Sequence, residues 1–342
     1  MADRLRVVLA GCGGMSGRWL TVAKQRPDVE IVGLIDLREE AAHKRRDEFD
    51  LPGAAVGDDV REMLERLNPD VVLDCTIPSS HVMVTLEALA HGCHVMGEKP
   101  LADSMENARR SVAAAKQSGK LYAVMQNRRY DSRIRGFLHF LDSGQLGDLT
   151  TLNSDFYIGA HFGGFRDHME HVLLLDMAIH TFDQARLISG ADPVAVYCHE
   201  WNPTGSWYDH DASAICVFEM TGDVIYTYRG SWCAEGLSTT WECDWRAIGT
   251  KGSATWNGAN VFRAQAATGS GAFHSELTDL EINPARSSSE GGHAGAINEF
   301  LDCVHSGETP ETVCTDNIKS LAMVFGAIES ASAHRRVEIS LE

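Results

Sequence analysis

R-V-V-L-A-G-C-G-G-M-S-G, from Arg6 to Gly17, packs a strand, a turn and a helix start into twelve residues. Val7 to Ala10 is a short apolar run, the mark of a buried parallel strand. It stops at Gly11-Cys12-Gly13-Gly14, a turn that residues without a β-carbon make tightly. The segment from Met15 through Trp19 and Leu20 to Ala23 has helical composition. A helix amino end offers unpaired N–H groups and partial positive charge. Bare Gly11 and Gly13 let a pyrophosphate approach the backbone, and Gly14 and Met15 complete the cradle. The third position of G-x-G-x-x-G holds Ser16, with Gly17 one place later. Serine is small enough for close helix–strand packing.

A plain strand–helix turn would ask for no more than this. Val29 to Ile35, however, is a second apolar run, and it ends at Asp36. That is the range expected for the acid that binds an adenosine ribose. Strand, turn, helix and acid together predict a doubly wound parallel sheet holding a dinucleotide. Arg38 could meet a 2′-phosphate, but Asp36 would repel one, which favours NAD over NADP.

At 342 residues the chain is long enough for two domains. Its formal net charge of −18 repels nucleic acid and anionic membranes, so neither is an expected partner. No apolar stretch approaches the ~20 residues that span a bilayer. The Val7–Ala10 run is too short for a signal-peptide core, and no cleavage site follows it. Nine scattered cysteines without C-x-x-C spacing read as small buried hydrophobes in a reducing cytoplasm.

Asp70 to Thr76 is the next buried strand, followed by Ile77-Pro78-Ser79-Ser80-His81 and a helix to His91. Loops after strand ends line the ligand crevice of such a sheet, so Thr76, Pro78 and His81 are placed to touch the dinucleotide. A solvent-facing residue at the helix end is the other reading of His81. His94 to Met96 continues the sheet and Gly97 breaks it, leaving Glu98-Lys99-Pro100-Leu101 at a strand end. Lys99 then stands beside the nicotinamide half of the crevice, where a sheltered amine can exchange protons. The alternative is a surface lysine in a loop, the usual fate of lysines. Pro100 keeps Lys99 out of helical geometry, and the bond between them could be cis. Leu121 to Met125 is a further strand, and Gln126-Asn127-Arg128-Arg129-Tyr130 leaves its end.

G-C-G-G-M, Asp36, T-I-P-x-x-H, E-K-P-L and N-R-R-Y together resemble the Gfo/Idh/MocA family of dinucleotide-dependent oxidoreductases. The E-K-P element at this distance from the glycine loop is the most specific part, and the resemblance covers nearly the whole chain. It implies an NAD-binding Rossmann domain over 1–125 and an α+β domain over 126–342 with a large open, mostly antiparallel sheet. The last helix could pack back on the first domain. It also implies that Glu98 and Lys99 belong to the cofactor site, and that Lys99 reaches both the nicotinamide ribose and a substrate hydroxyl. Many members oxidise sugars, sugar acids or cyclic polyols.

In the second domain, Glu170 to Ser189 reads as one long helix closed by Gly190. Asp176 and His180 stand four apart on one face, and Asp183 lies close to the same stripe. By itself this could be a structural pair within the core. The family resemblance implies a substrate-binding Asp and a catalytic His at this spacing, which become Asp176 and His180. Asn127, Tyr157 and Arg166 join them as expected substrate contacts. Many relatives carry a glycine-rich run before that Asp; here Met169-Glu170-His171-Val172-Leu173 stands instead, which could add Glu170 or His171 to the pocket. His161, His168 and His171 could suggest a metal, but the strong zinc spacings are absent and no metal is expected.

Beyond Pro193 the chain alternates apolar and polar residues: 194–201, 212–220, 224–232, 240–248 and 253–256 read as antiparallel strands. Residues 269–292 read as a loop, 293–305 and 315–334 as helices, 337–341 as a last strand. Six of the seven tryptophans lie beyond residue 200. Aromatic side chains on the uncovered face of the sheet would leave a patch too large for a monomer, which predicts a homodimer or homotetramer through that sheet. Alternatively, Trp207 or Trp232 lines a sugar site.

The whole predicts an NAD-dependent dehydrogenase. It would convert an aldose to a lactone, or oxidise a cyclic polyol, with the substrate between the domains and Lys99 and His180 as acid–base pair. A sensor that binds NAD(H) without chemistry would not need Lys99, Asp176 and His180 together. A member with tightly bound, internally recycled NAD(P) is the remaining alternative.

Overall fold

Val7, Val8, Leu9 and Ala10 are all buried, because the strand they form, β1 (Leu5–Ala10), is flanked on both sides. Five more strands follow in the same sheet: β2 (Val29–Ile35), β3 (Ala55–Gly57), β4 (Val71–Asp74), β5 (His94–Gly97) and β6 (Tyr122–Val124). All pairings are parallel, in the order β3-β2-β1-β4-β5-β6. The crossovers are α1 (Ser16–Gln25), α2 (Glu39–Glu48), α3 (Val60–Leu67), α4 (Pro78–Ala90) and α5 (Met105–Ser118). Strand order reverses between β1 and β4, the switch point at which such sheets bind ligands.

The computed structural model describes residues 4–269, 271, 273–283 and 291–341. It divides into two compact units, Met1–Asn127 with Glu290–Ile318, and Arg128–Ser289 with Lys319–Glu342. In the first, helix Gly292–Ser306 packs on α1. Arg26 pairs there with Asp28 at 2.6 Å and Asp302 at 2.7 Å, and His305 reaches Asp28 at 2.9 Å.

The second unit starts with α6 (Ser132–Asp142) and β7 (Leu149–Tyr157). The expected single helix from Glu170 is shorter and of two kinds. Leu173–Ala178 is a π-helical turn that runs into α7 (Ile179–Ser189), and Gly190 closes it in a left-handed conformation. His171 itself has a positive φ of 52° and so precedes the helix. Then come β8 (Pro193–Trp201), β9 (Ser213–Met220), β10 (Ile225–Ser231), β11 (Asp244–Gly249), β12 (Gly252–Trp256), β13 (Phe262–Ala267), β14 (Leu277–Leu280) and β15 (Val337–Glu338). The sheet order is β14-β13-β12-β11-β7-β10-β9-β8-β15, with β7 and β10 parallel and every other pair antiparallel.

Strand β14 falls inside 269–292, read from sequence as a loop; residues 270, 272 and 284–290 lie outside the described residues. β13 is F-R-A-Q-A-A, whose alanines carry little strand propensity, so packing against β12 decides it.

The open face is not built of tryptophan. Trp232, Trp245 and Trp256 are buried. Tyr197, Ile215, Val217, Ile225 and Ile248 are exposed there instead, beside the Arg229–Asp155 ion pair at 2.6 Å. Period-two alternation turned Trp245 and Trp256 inward and left Tyr197 among aliphatic side chains outside. Among the described residues no helix is long and apolar enough to cross a membrane. None of the nine cysteines forms a disulfide.

Candidate active site

Gly11 has a φ of +86°, and a β-carbon on it would lie 2.6 Å from the Cys75 carbonyl carbon and oxygen. The loop therefore needs this glycine to pass the end of β4, rather than to meet a ligand. Gly13 and Gly14 are different: a β-carbon there meets nothing within 4 Å. That open space lies before the first turn of α1, and Ser16 closes the turn by donating its hydroxyl to the Gly13 carbonyl at 2.6 Å. A cavity of about 370 Å³ adjoins, lined by Gly11, Gly13 and Thr76 and by Asp36, Ile77 and Met83.

Asp36 accepts the Cys12 N–H on Oδ2 at 2.8 Å and the Arg38 N–H on Oδ1 at 2.9 Å. Each oxygen keeps acceptor capacity, so a ribose diol can still donate to it. Leu37, Ile77 and Met83 are exposed, unusual for side chains of their size, and offer an apolar wall for a flat base. Nothing in the glycine pattern announces them; exposed apolar residues just past strand ends were the available signal. Open backbone, an acidic ribose acceptor and an apolar wall fit an adenine dinucleotide. Arg38 stands mostly in solvent with its Nε 3.9 Å from Asp36.

His81 is not on that lining. It is buried, with Nδ1 2.9 Å from Asp74 Oδ2, while Asp74 Oδ1 accepts the Thr76 hydroxyl at 2.5 Å and the Thr76 N–H at 2.9 Å. The helix face toward the sheet takes this histidine inward, so neither dinucleotide contact nor solvent exposure describes it. Asp74, buried at the end of β4, was missed; it holds the loop that carries Thr76. Pro78 is the first residue of α4.

Glu98 turns inward as well. Its carboxylate accepts the Trp19 indole N–H at 2.9 Å and the Lys99 N–H at 3.3 Å. Burial pushes this carboxyl above the usual range, and the Trp19 bond works against that shift. Glu98 thus ties α1 to the backbone of Lys99, whose bond to Pro100 is cis.

In the second unit the π turn carries Asp176, which accepts Arg166 Nε at 2.8 Å and Nη2 at 3.3 Å. π turns concentrate at functional sites because they break the regular ladder and re-aim a side chain. His180 follows at the start of α7. Arg166 Cζ also stands 5.0 Å from the Phe162 ring centre and 4.7 Å from that of Phe165. Asp183 is placed elsewhere. It accepts Arg129 Nε at 2.6 Å, Arg129 Nη2 at 2.8 Å and the Ser320 hydroxyl at 2.7 Å, deep in the core. Tyr157 shares the face of Asn153 and Asp155, not that of Phe156, so alternation along β7 turns it toward the open side of the sheet. Asn127 opens a short 3-10 turn, Asn127–Tyr130.

Residues 5–126 match the family model described as "Oxidoreductase family, NAD-binding Rossmann fold", and residues 136–255 match the "GFO/IDH/MocA C-terminal domain". The chain belongs to the Gfo/Idh/MocA oxidoreductases. It is 31% identical over 209 residues to the D-glucoside 3-dehydrogenase of Escherichia coli K12, 59% of either protein. It is 27% identical over 198 residues to the inositol 2-dehydrogenase of Arthrobacter sp. FB24, 57% of either. A levoglucosan dehydrogenase in complex with NADH and levoglucosan shares the fold, with a TM-score of 0.83 at 17% identity, covering 98% of this chain and 100% of that one.

The histidines of this Gfo/Idh/MocA protein take separate carboxylate partners. His161 Nε2 lies 2.8 Å from Glu235 and stacks on Trp207 at 3.7 Å; His168 Nδ1 lies 2.5 Å from Asp209; His171 Nδ1 lies 2.6 Å from Glu200. Among the described residues no group of His, Cys, Asp and Glu could hold a metal.

The His171–Glu200 contact outweighs burial at the half-buried imidazole and raises its pKa. At Glu200, whose side chain is 2% exposed, burial outweighs the contact and raises the carboxyl too. Both shifts act in one direction. Stabilisation from a raised imidazole is complete below its ordinary value of 6.5 and is lost as pH rises through the raised value. The buried carboxylate's penalty likewise grows with pH. The melting temperature is therefore expected to fall from slightly acid to alkaline pH, and His171→Gln to flatten that profile. An unchanged profile in the variant would remove the pair from the account.

Proposed function

We propose that this oxidoreductase oxidises a hydroxyl of a sugar, as in aldose to lactone, or of a cyclic polyol. The observation that carries the reading is a carboxylate, Asp176, gripped by Arg166 at the π turn with His180 four residues on. Such an oriented acceptor suits a polyhydroxylated substrate, since a neutral hydroxyl can donate to it without bringing charge. Support comes from the glucoside and inositol dehydrogenases among the relatives.

NAD, when bound, supplies the hydride acceptor. Gly13, Gly14 and the start of α1 would hold its phosphates, and Asp36 its ribose. Lys99 and His180 are assigned the proton of the reacting hydroxyl, which one of them takes as the carbon-bound hydrogen departs. Asp176 orients a substrate hydroxyl, and Arg166 holds that carboxylate in place. Such positioning is a large part of the rate in reactions of this kind.

The exposed aliphatic residues and ion pair on the open sheet face are the surface proposed to meet a second copy, in a homodimer or homotetramer.

The test is NADH formation across aldoses, sugar acids and inositols. Saturable turnover of one group is expected. Tight NAD binding with no turnover of any would leave a sensor in place of an enzyme.

A further inference from the structure

Arg45 does not extend into water as a charged residue of α2 would be expected to. Its side chain is 18% exposed, against 76% for Lys44 beside it. The guanidinium crosses to the glycine loop, where Nη2 donates to the Gly13 carbonyl at 2.7 Å. Nη1 donates to Glu48 Oε2 at 2.8 Å, so the planar fork is held at both ends. The Phe49 ring centre lies 5.9 Å from Cζ.

That crossing needs clearance over α1, and the sequence supplies it. A β-carbon on Gly17 would stand 3.2 Å from Arg45 Nη1 and 3.7 Å from the Phe49 ring. Gly17 lies inside α1, where glycine weakens the helix. Room for the guanidinium is what this glycine gives in return.

The loop that Arg45 reaches has little else to hold it. Gly13, Gly14 and Met15 are exposed, and the two glycines have no side chains to pack. The Gly13 carbonyl takes two donors, the Ser16 hydroxyl at 2.6 Å and Arg45. The C=O and N–H of one trans peptide point in opposite directions, so fixing this carbonyl also fixes the Gly14 N–H. A cavity of about 400 Å³ borders the loop, lined by Cys12, Gly13, Gly14, Arg38, Lys44 and Arg45. Positive charge thus gathers beside the bend in a chain whose formal net charge is −18.

We propose that Arg45 is a positioning residue for the dinucleotide. It sets the Gly13–Gly14 peptide in the orientation that receives the pyrophosphate, before the cofactor arrives. Holding flexible glycines in the bound geometry removes an ordering cost from binding. The inference rests on the placement of the phosphates at Gly13 and Gly14, and is independent of which hydroxyl is oxidised.

The experiment titrates the full chain with NADH, read by nicotinamide fluorescence, and with adenosine in competition. Arg45→Ala is expected to weaken NADH binding about tenfold, the usual worth of a charged hydrogen-bond donor. Adenosine, which has no phosphate, is expected to bind as before. Gly17→Leu fills the clearance and is expected to cost NADH a similar factor. The two substitutions together are expected to cost no more than Arg45→Ala alone, because both act through one guanidinium. Gly13→Leu, which fills the cradle itself, is expected to abolish NADH binding. Unchanged NADH affinity in Arg45→Ala, or equal losses for NADH and adenosine, overturns the proposal while the cradle stands. Normal NADH binding in Gly13→Leu removes the cradle, and the role of Arg45 with it.

Discussion

Lys99→Ala and His180→Ala are each expected to lower kcat by about 10²- to 10⁴-fold, the usual worth of a positioned acid–base group. The two substitutions leave the dinucleotide cradle alone. Gly13, Gly14 and Asp36 are the residues proposed to hold the phosphates and ribose, so NAD binding is expected to survive. In Lys99→Ala the backbone stays where Glu98 and Trp19 put it, because those contacts involve the Lys99 N–H and not its amine. The loss therefore belongs to proton handling rather than to a collapsed loop. In His180→Ala the Arg166–Asp176 pair persists, so substrate affinity falls less than turnover. If the two residues serve one proton, the double variant loses little more than the worse single one. Steady-state kinetics beside an NAD binding titration distinguish these outcomes, and near-normal turnover in either variant refutes its role.

Asp183→Ala is expected to destabilise the second unit by about 3–5 kcal/mol. The substitution removes the carboxylate that faces a guanidinium in the core. Arg129 is 6% exposed, and Asp183 receives two of its N–H groups as well as the Ser320 hydroxyl. Removing the carboxylate leaves a buried positive charge and a hydroxyl without that acceptor, and water cannot reach either cheaply. Replacing both partners with apolar residues of similar size is expected to cost much less, since no charge is then left behind. Urea denaturation of the single and double variants measures the difference. Equal stability of Asp183→Ala and the parent would show that the pair is incidental.

Asp176 and Asp183 illustrate what periodicity can and cannot say. Both are acids on one apolar helical run, and spacing alone treats them nearly alike. Their partners differ: Arg166 comes from a loop and is itself part exposed, whereas Arg129 comes from the short turn after Asn127 and is buried. Neither arginine is near its acid in the sequence at helical spacing, so only folding could sort one acid to the candidate site and the other to the core. His81 was misplaced for a similar reason. Its position in T-I-P-x-x-H suits a crevice, but Asp74 at the strand end draws the ring inward. Tyr157, expected as a substrate contact, lies where the pleat turns it toward the open side of the sheet.

Local pattern was sufficient for the parallel sheet of the first unit. A four-residue apolar run, a glycine turn and an acid after the next strand can be satisfied together by few backbones, so R-V-V-L-A-G-C-G-G-M-S-G and Asp36 carried the parallel sheet and the dinucleotide cradle with them. The second unit depended on contacts between residues far apart. The strand character of F-R-A-Q-A-A, the inward turn of the tryptophans, the π turn under Asp176 and the ring cluster around Arg166 all arise from partners dozens of residues away. Backbone preferences act over a few neighbours and can be seen in a string of letters; packing and charge pairing act through space, and become visible only when the chain has brought their partners together.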